Sequence, residues 1–260
     1  MLSNSNNLHR FALHGAAIGL NSMVKFLDPE IDHLLGDFRV KTWPQGALPI
    51  SGTVWPYEQS HVLKCMSATA RRVVSQTAGA ELELYEDGER FWLVDDRWGI
   101  AEMNLLKGQW RTWLLPNPAM DLVRCAQFAV LWPMAQLLRA RGLYLMPAAS
   151  VAFADRSFLL LAPFGLQPEL SQLIRGGYRV IGQSWTAIRE EGGHFAMMPL
   201  PGYVERPVPP GMRLSGGEAT PGWIDLTHDH LGVQKSHGWC DAILMLDTGR
   251  RARAELRPLD

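Results

Sequence analysis

Few of the features that announce a function are present in this sequence. Its three cysteines, Cys65, Cys125 and Cys240, are scattered, with neither zinc-ligand spacing nor a disulfide framework. An odd, dispersed set fits a reducing cytoplasm, and each thiol reads as a small buried hydrophobe. No apolar run approaches the ~20 residues that cross a bilayer, so no membrane span is expected. The most apolar stretch, residues 128–138, is short and holds Pro133, and reads as a buried helix. The first seven residues are polar and lack a signal-peptide core, so the expected location is cytoplasmic. A net charge of −1 with mixed signs gives no electrostatic reason to expect nucleic acid or an anionic membrane as partner. There is no dinucleotide fingerprint, internal repeat or low-complexity tract.

What is present is bulk and tryptophan. A chain of 260 residues holds one large domain or two smaller ones, with a real core. Ten tryptophans exceed what is usual at this length. Most are expected in the core, and a surplus would form a contact surface. Patterning divides the chain near residue 114. After a weakly patterned lead-in and a short helix at 29–35, the signals to 114 are β: runs at 38–43, 81–85, 90–94 and 109–114, with Asp87-Gly88 as a hairpin turn. Residues 62–75 fit a helix or two short strands. Residues 115–260 open with an amphipathic helix over 119–141, ended by Gly142. This helix is expected to pack on the sheet that follows it. Two strands, 242–246 and 252–256, close the fold.

Residues 148–188 have the plan of a nucleotide-binding βαβ unit. Strands at 150–153 and 158–161 flank the turn Asp155-Arg156. The tight loop Ala162-Pro163-Phe164-Gly165-Leu166-Gln167 leads to a helix over 168–175, a stop at Gly176-Gly177 and a strand at 178–181. In a working P-loop, backbone N–H groups cradle the phosphates, a Lys neutralises them, and a Ser or Thr holds magnesium. Here those two side-chain positions are Pro168 and Glu169. Pro suits the first helical position and Glu favours the positive end of the helix dipole. The helix therefore still forms, with a carboxylate where a phosphate would sit. Each such change of charge about 4 Å from a phosphate costs roughly 4 kcal/mol at an effective dielectric near 20. At ~1.4 kcal/mol per tenfold, ordinary ATP binding should be very weak.

These runs resemble the HPr kinase/phosphorylase family. Its strand entry is matched by Leu145-Met146-Pro147-Ala148-Ala149, its second strand and loop by Leu159-Leu160-Leu161-Ala162-Pro163-Phe164-Gly165, and its next strand by Arg175-Gly176-Gly177-Tyr178-Arg179-Val180-Ile181. The family His falls on Pro147, its first and last loop glycines on Ala162 and Gln167, and its Asp pair on Gln183-Ser184. The resemblance spans roughly 115–202 and implies an α/β (α+β overall) architecture: an HPr-kinase-like P-loop domain of mixed sheet and flanking helices, preceded by a small β-rich domain. The family's helical C-terminal tail is expected to be absent, since the sequence stops soon after its last apparent strands, and the rings that the family forms imply a homo-oligomer. The alternative is an unrelated βαβ unit that never held a P-loop.

His, Lys, Ser/Thr and the Asp pair have all changed together, which argues against phosphoryl transfer, where catalysis is largely charge placement. The reading is a non-catalytic, pseudokinase-like scaffold with no catalytic residue, cofactor or metal, which grips a protein or peptide partner and forms a possible homo-oligomer. Its expected binding pocket is Pro147, Phe164, Gly165, Gln167, Pro168, Glu169, Gln183, Ser184 and Trp185. Two enzyme readings stand beside it. One is a kinase using Arg175 or Arg179 for phosphate and Glu169 for magnesium. The other is a metal enzyme at His228 and His230, near His237 and Asp241, since two His one residue apart share a side of a strand. Glu190, Glu191 and His194 around Gly192-Gly193 read as a surface turn, and Ser150 and Ser184 lack a His at triad spacing.

Overall fold

His14 and Gly15 take φ of 46° and 90°, the two-residue turn geometry that matches the twist of paired strands. They join β1 (Leu8–Leu13) to β2 (Ala16–Ser22) in the stretch read as a weakly patterned lead-in. The computed structural model describes residues 8–57, 66, 69–74, 82–115, 121–161, 167–200, 204–206, 222–224 and 237–245. It is a mixed α/β structure dominated by strands. By contact the chain separates into Met1–Leu145 with Ala187–Glu190, and Met146–Thr186 with Glu191–Asp260. The helical stretch that follows residue 114 groups with the first unit.

In that unit α1 (Asp28–Leu35) buries Ile31, Leu34 and Leu35 and connects β2 to β3 (Leu48–Pro56), which runs parallel to β2. Adjacent parallel strands need such a crossover. The connection absorbs the strand expected at 38–43: Gly36–Phe38 is a 3-10 turn, and only Arg39 reaches a strand, bridging to Phe11. Beyond β4 (Arg71–Val74), the strands β5 (Glu83–Asp87), β6 (Arg90–Asp95), β7 (Gly99–Asn104) and β8 (Gln109–Leu114) form an antiparallel meander. Strand β8 then pairs parallel with β3, giving one eight-stranded sheet in the order β1-β2-β3-β8-β7-β6-β5-β4. Strands β5, β6 and β8 and the turn at Asp87-Gly88 follow the sequence pattern. Strands β3 and β7 do not show in it.

The helical stretch is interrupted. It runs as α2 (Leu122–Ala126), a π turn at Gln127–Leu131, and α3 (Trp132–Arg139). Asp121 caps its start by accepting from the Arg124 N–H. Pro133 has no N–H to give to the carbonyl four residues earlier, that of Ala129. That carbonyl turns to the sheet, where it accepts from Trp110 Nε1 at 3.2 Å and Thr112 Oγ1 at 2.8 Å. Trp110 in turn lies flat on Gly52 of β3, where any Cβ would fall inside the indole. The helix therefore packs on β3, β7 and β8, correcting the expectation that it covers the later sheet. Strand β9 (Leu143–Met146) follows.

The second unit realises the strand–loop–helix–strand plan. A hairpin pairs β10 (Ala149–Phe153) with β11 (Arg156–Leu161) through Ala154 and Asp155, with Ala154 at φ 53°. Helix α4 (Gln167–Arg175) leads to β12 (Arg179–Gly182). Its end is a Schellman motif: the Tyr178 N–H reaches Leu173 O and the Gly177 N–H reaches Ile174 O, with Gly177 at φ +87°. Both β11 and β12 run antiparallel to β10, which lies between them, so the helix joins two parallel strands one place apart. Strand β18 (Ala242–Met245) pairs parallel to β11 at the sheet edge. Ala149, Val151, Leu160, Leu170 and Val180 form the core between sheet and α4. After β13 (Thr186–Glu191), the turn at Gly192 and Gly193 leads to β14 (His194–Pro199), which pairs with β17 (Gly238–Trp239). A short ladder joins β15 (Val204–Arg206) to β16 (Gly222–Ile224). Residues 252–256 lie outside the described residues.

The Ala129 carbonyl supplies a stability test. Replacing Thr112 by the near-isosteric Val removes one of its two side-chain donors in a dry site. We expect Thr112→Val to lower unfolding free energy by about 1–3 kcal/mol in urea denaturation, with an unchanged m-value.

Candidate functional site

The carboxyl ends of parallel strands are where an open α/β sheet leaves a crevice. In the second unit, Leu161 ends β11 and Gly182 ends β12, and the register places both beside the start of β10, since Ala149 faces Leu160 and Ser150 faces Gly182. That end of the sheet therefore collects Pro147, just before β10, and Gln183, Ser184 and Trp185, just after β12. The helix α4 starts from the same end, with Gln167, Pro168 and Glu169 as its first three residues. Pro168 is thus the second helical residue rather than the first. Phe164 and Gly165, like His228 and His230, lie outside the described residues.

Pro147 is exposed, whereas Gln183 and Trp185 are buried, each at 4% exposure. Ser184 is half-buried, with its Oγ out of solvent and without a hydrogen-bond partner among the described residues. Beneath them sits a hydroxyl pair that spacing did not reveal. Ser150 Oγ and Thr186 Oγ1 lie 2.8 Å apart, and Thr186 Oγ1 donates to Ala148 O at 2.9 Å. Both residues are fully buried. Gly182 is required between them, because a Cβ there would meet Trp185 O, Thr186 Oγ1 and Ser150 Oγ. The sequence signal for this pair was slight: Ser150 is a polar residue within the apolar strand β10. The cluster is neutral: hydroxyls, an amide and an indole.

Other candidates are placed elsewhere. Arg175 ends α4 and Arg179 begins β12, so both mark the opposite end of the sheet. At 1.5 Å per residue, Arg175 is about 9 Å further along the helix axis than Glu169. Asp241 is tied to β11: its Oδ2 accepts from the Ser157 N–H at 2.6 Å, and its own N–H reaches Ser157 O at 2.9 Å. No group of three or more His, Cys, Asp or Glu side chains with metal-binding geometry occurs among the described residues. No helix among them is long and apolar enough to cross a membrane.

Two of the three thiols, those of Cys125 and Cys240, lie among the described residues and are free. Cys125 is fully buried in α2, and its thiol is pushed up to about 12 by burial and then by the nearby Asp121 charge. Burial also raises the thiol of Cys240, whose Sγ donates weakly to Ala242 O at 3.6 Å. Because the thiolate is the reactive form, Cys125 is expected to resist iodoacetamide at pH 8 in the folded protein and to react fully in denaturant. Mass-spectrometric alkylation mapping reads both states.

No protein-family model matches the chain, and no curated protein matches it. Among solved structures, the Hpr(Ser) kinase/phosphatase from Coxiella burnetii aligns over 45% of this chain and 67% of its own, at 15% identity and a TM-score of 0.32. A likeness of that extent carries no weight for function.

Proposed function

We propose that this chain is a non-catalytic protein that binds a protein or peptide partner, with the strand-end site of its second unit as part of the contact. One observation carries the reading: the carboxyl ends of β11 and β12 present Pro147, Gln183, Ser184 and Trp185 over a buried Ser150–Thr186 hydroxyl pair. Transfer of a phosphoryl group rests on placed charge, with a cation and metal-holding carboxylates around the phosphates. These side chains supply none at neutral pH. The first turn of α4 adds Pro168 and Glu169 where a phosphate cradle needs a cation and a hydroxyl. The relocated-kinase reading is disfavoured by distance, since Arg175 and Arg179 mark the far end of the sheet from Glu169.

Exposed aromatics favour a binding role. In the second unit Phe153 stacks on Tyr178 at 4.7 Å while half exposed, and Phe195 and Trp239 are exposed on β14 and β17. Large rings held rigidly at a surface are the residues that anchor partners. In the first unit Trp43 and Trp55 are exposed, whereas Trp92, Trp110 and Trp113 are core residues. A homo-oligomer belongs to the same proposal.

Titration calorimetry with ATP and magnesium tests the absence of phosphate chemistry. We expect no saturable heat at about 1 mM nucleotide, a concentration that would half-fill a site worth roughly −4 kcal/mol. Saturable sub-millimolar binding overturns the reading. Once a partner is in hand, Phe164→Asp is expected to weaken its capture at least tenfold. Unchanged capture removes the strand-end site from the contact. Trp185→Ala is a poorer probe, because deleting a buried indole costs about 3–5 kcal/mol of stability by itself.

A further inference from the structure

The first unit carries a second feature, on the sheet face at the β7–β8 turn. Arg90 of β6, Glu102 and Asn104 of β7, Lys107 of the turn, and Gln109 and Arg111 of β8 line an open groove there. They meet because of register: Asn104 faces both Arg90 and Gln109, and Glu102 faces Arg111. Residues directly opposite one another share a sheet face. No spacing in the sequence shows this set, since its members come from three strands and a turn.

The groove presents donors almost alone. Three cations stand against one carboxylate, in a chain whose net charge is −1. Glu102 is engaged by Arg90, at 3.8 Å. Among the described residues neither Lys107 nor Arg111 has an ion-pair partner. The Asn104 carbonyl oxygen already accepts from the Lys107 N–H at 2.9 Å, which leaves its NH₂ as the group to offer a ligand.

The turn that carries Lys107 is also held firmly. Gly108 has φ +61°, its N–H reaches Leu105 O at 3.3 Å, and its carbonyl accepts from Ser51 N at 2.9 Å. Arg141 closes over it, donating to Leu137 O at 3.0 Å and Pro49 O at 3.4 Å. A side chain at position 108 would strike that guanidinium. Binding there orders little that is not already ordered, and this is how a small site gains affinity.

We propose that this groove binds a small molecule through an oxyanion group, a carboxylate or a phosphate, held by Arg90, Lys107 and Arg111. Guanidinium forks match both groups in shape. Nucleic acid, which requires a run of phosphate contacts, is a poorer fit to three cations in one groove. The proposal is independent of the partner-binding site of the second unit.

The test is calorimetry on the full chain at low ionic strength, with inorganic phosphate in one arm and glutarate in the other. Saturable one-to-one binding is expected in at least one arm, with a Kd of about 1 mM or tighter, weakening as salt is added. The arm that binds names the source chemistry. Arg111→Ala and Lys107→Ala, both at solvent-facing positions, should each weaken binding about tenfold with an unchanged melting temperature. Glu102→Gln should tighten it several-fold by removing the one repelling charge and freeing Arg90, an outcome that a merely structural role does not produce. Absence of saturable binding in both arms overturns the proposal. So does equal affinity in wild type, Arg111→Ala and Lys107→Ala, or binding of an oligonucleotide alone.

Discussion

One backbone carbonyl, that of Ala129, ties the first unit together. Pro133 removes the N–H that would have satisfied it inside the helix, and a buried carbonyl without a partner costs about 1–3 kcal/mol. Trp110 and Thr112, two residues apart on β8 and so on one face, supply the two donors. The π turn, the placing of the helix on the sheet, and the demand for glycine at position 52 under the Trp110 ring all follow from that arrangement. A proline that looks like a helix breaker therefore acts as a docking device. It obliges one turn of helix to seek its hydrogen bonds from a strand.

The second unit is organised around backbone geometry. The Schellman end of α4 turns the chain into β12, and Tyr178 packs on the core as that turn closes. Gly182 admits the Trp185 carbonyl and two hydroxyls where no side chain fits. With β10 running antiparallel between β11 and β12, both parallel strands end at one edge, beside the first turn of α4. An edge so built is a natural place for a ligand in any sheet of this kind. The side chains described there include the Gln183 amide, the Ser150, Ser184 and Thr186 hydroxyls and the Trp185 indole.

Arg111 of the first unit lies on a sheet face opposite Glu102, and Lys107 stands in the adjoining turn that Arg141 clamps. Partial desolvation lowers the Arg141 pKa, while its guanidinium donates to the Leu137 and Pro49 carbonyls. Structural and solvent-facing arginines thus sit within one turn of each other, with different roles set by burial.

The elements legible in the sequence were those with local causes. Alternation marked β5, β6 and β8, Asp87-Gly88 marked a turn, and the Gly176-Gly177 pair marked the end of α4, because periodicity and φ preferences act within a few residues. The same local reading placed β10, β11 and β12, and it put the start of α4 within one residue of Gln167. It missed β1 and β7, whose partners are near in the chain, β2, buried along nearly its whole length and so without polar alternation, and β3, whose parallel partners are distant. It misread 38–43, where a parallel pairing demanded a crossover. It also assigned the 119–141 helix to the wrong sheet, since amphipathic spacing shows which face is buried and not what buries it. The Ser150–Thr186 pair joins strands of two different sheets, and the Arg90–Lys107–Arg111 groove combines strand register with the β7–β8 turn. Residue type and short-range pattern were thus settled by the sequence alone, while every contact made across strands was decided by the tertiary fold, because only pairing determines which side chains become neighbours.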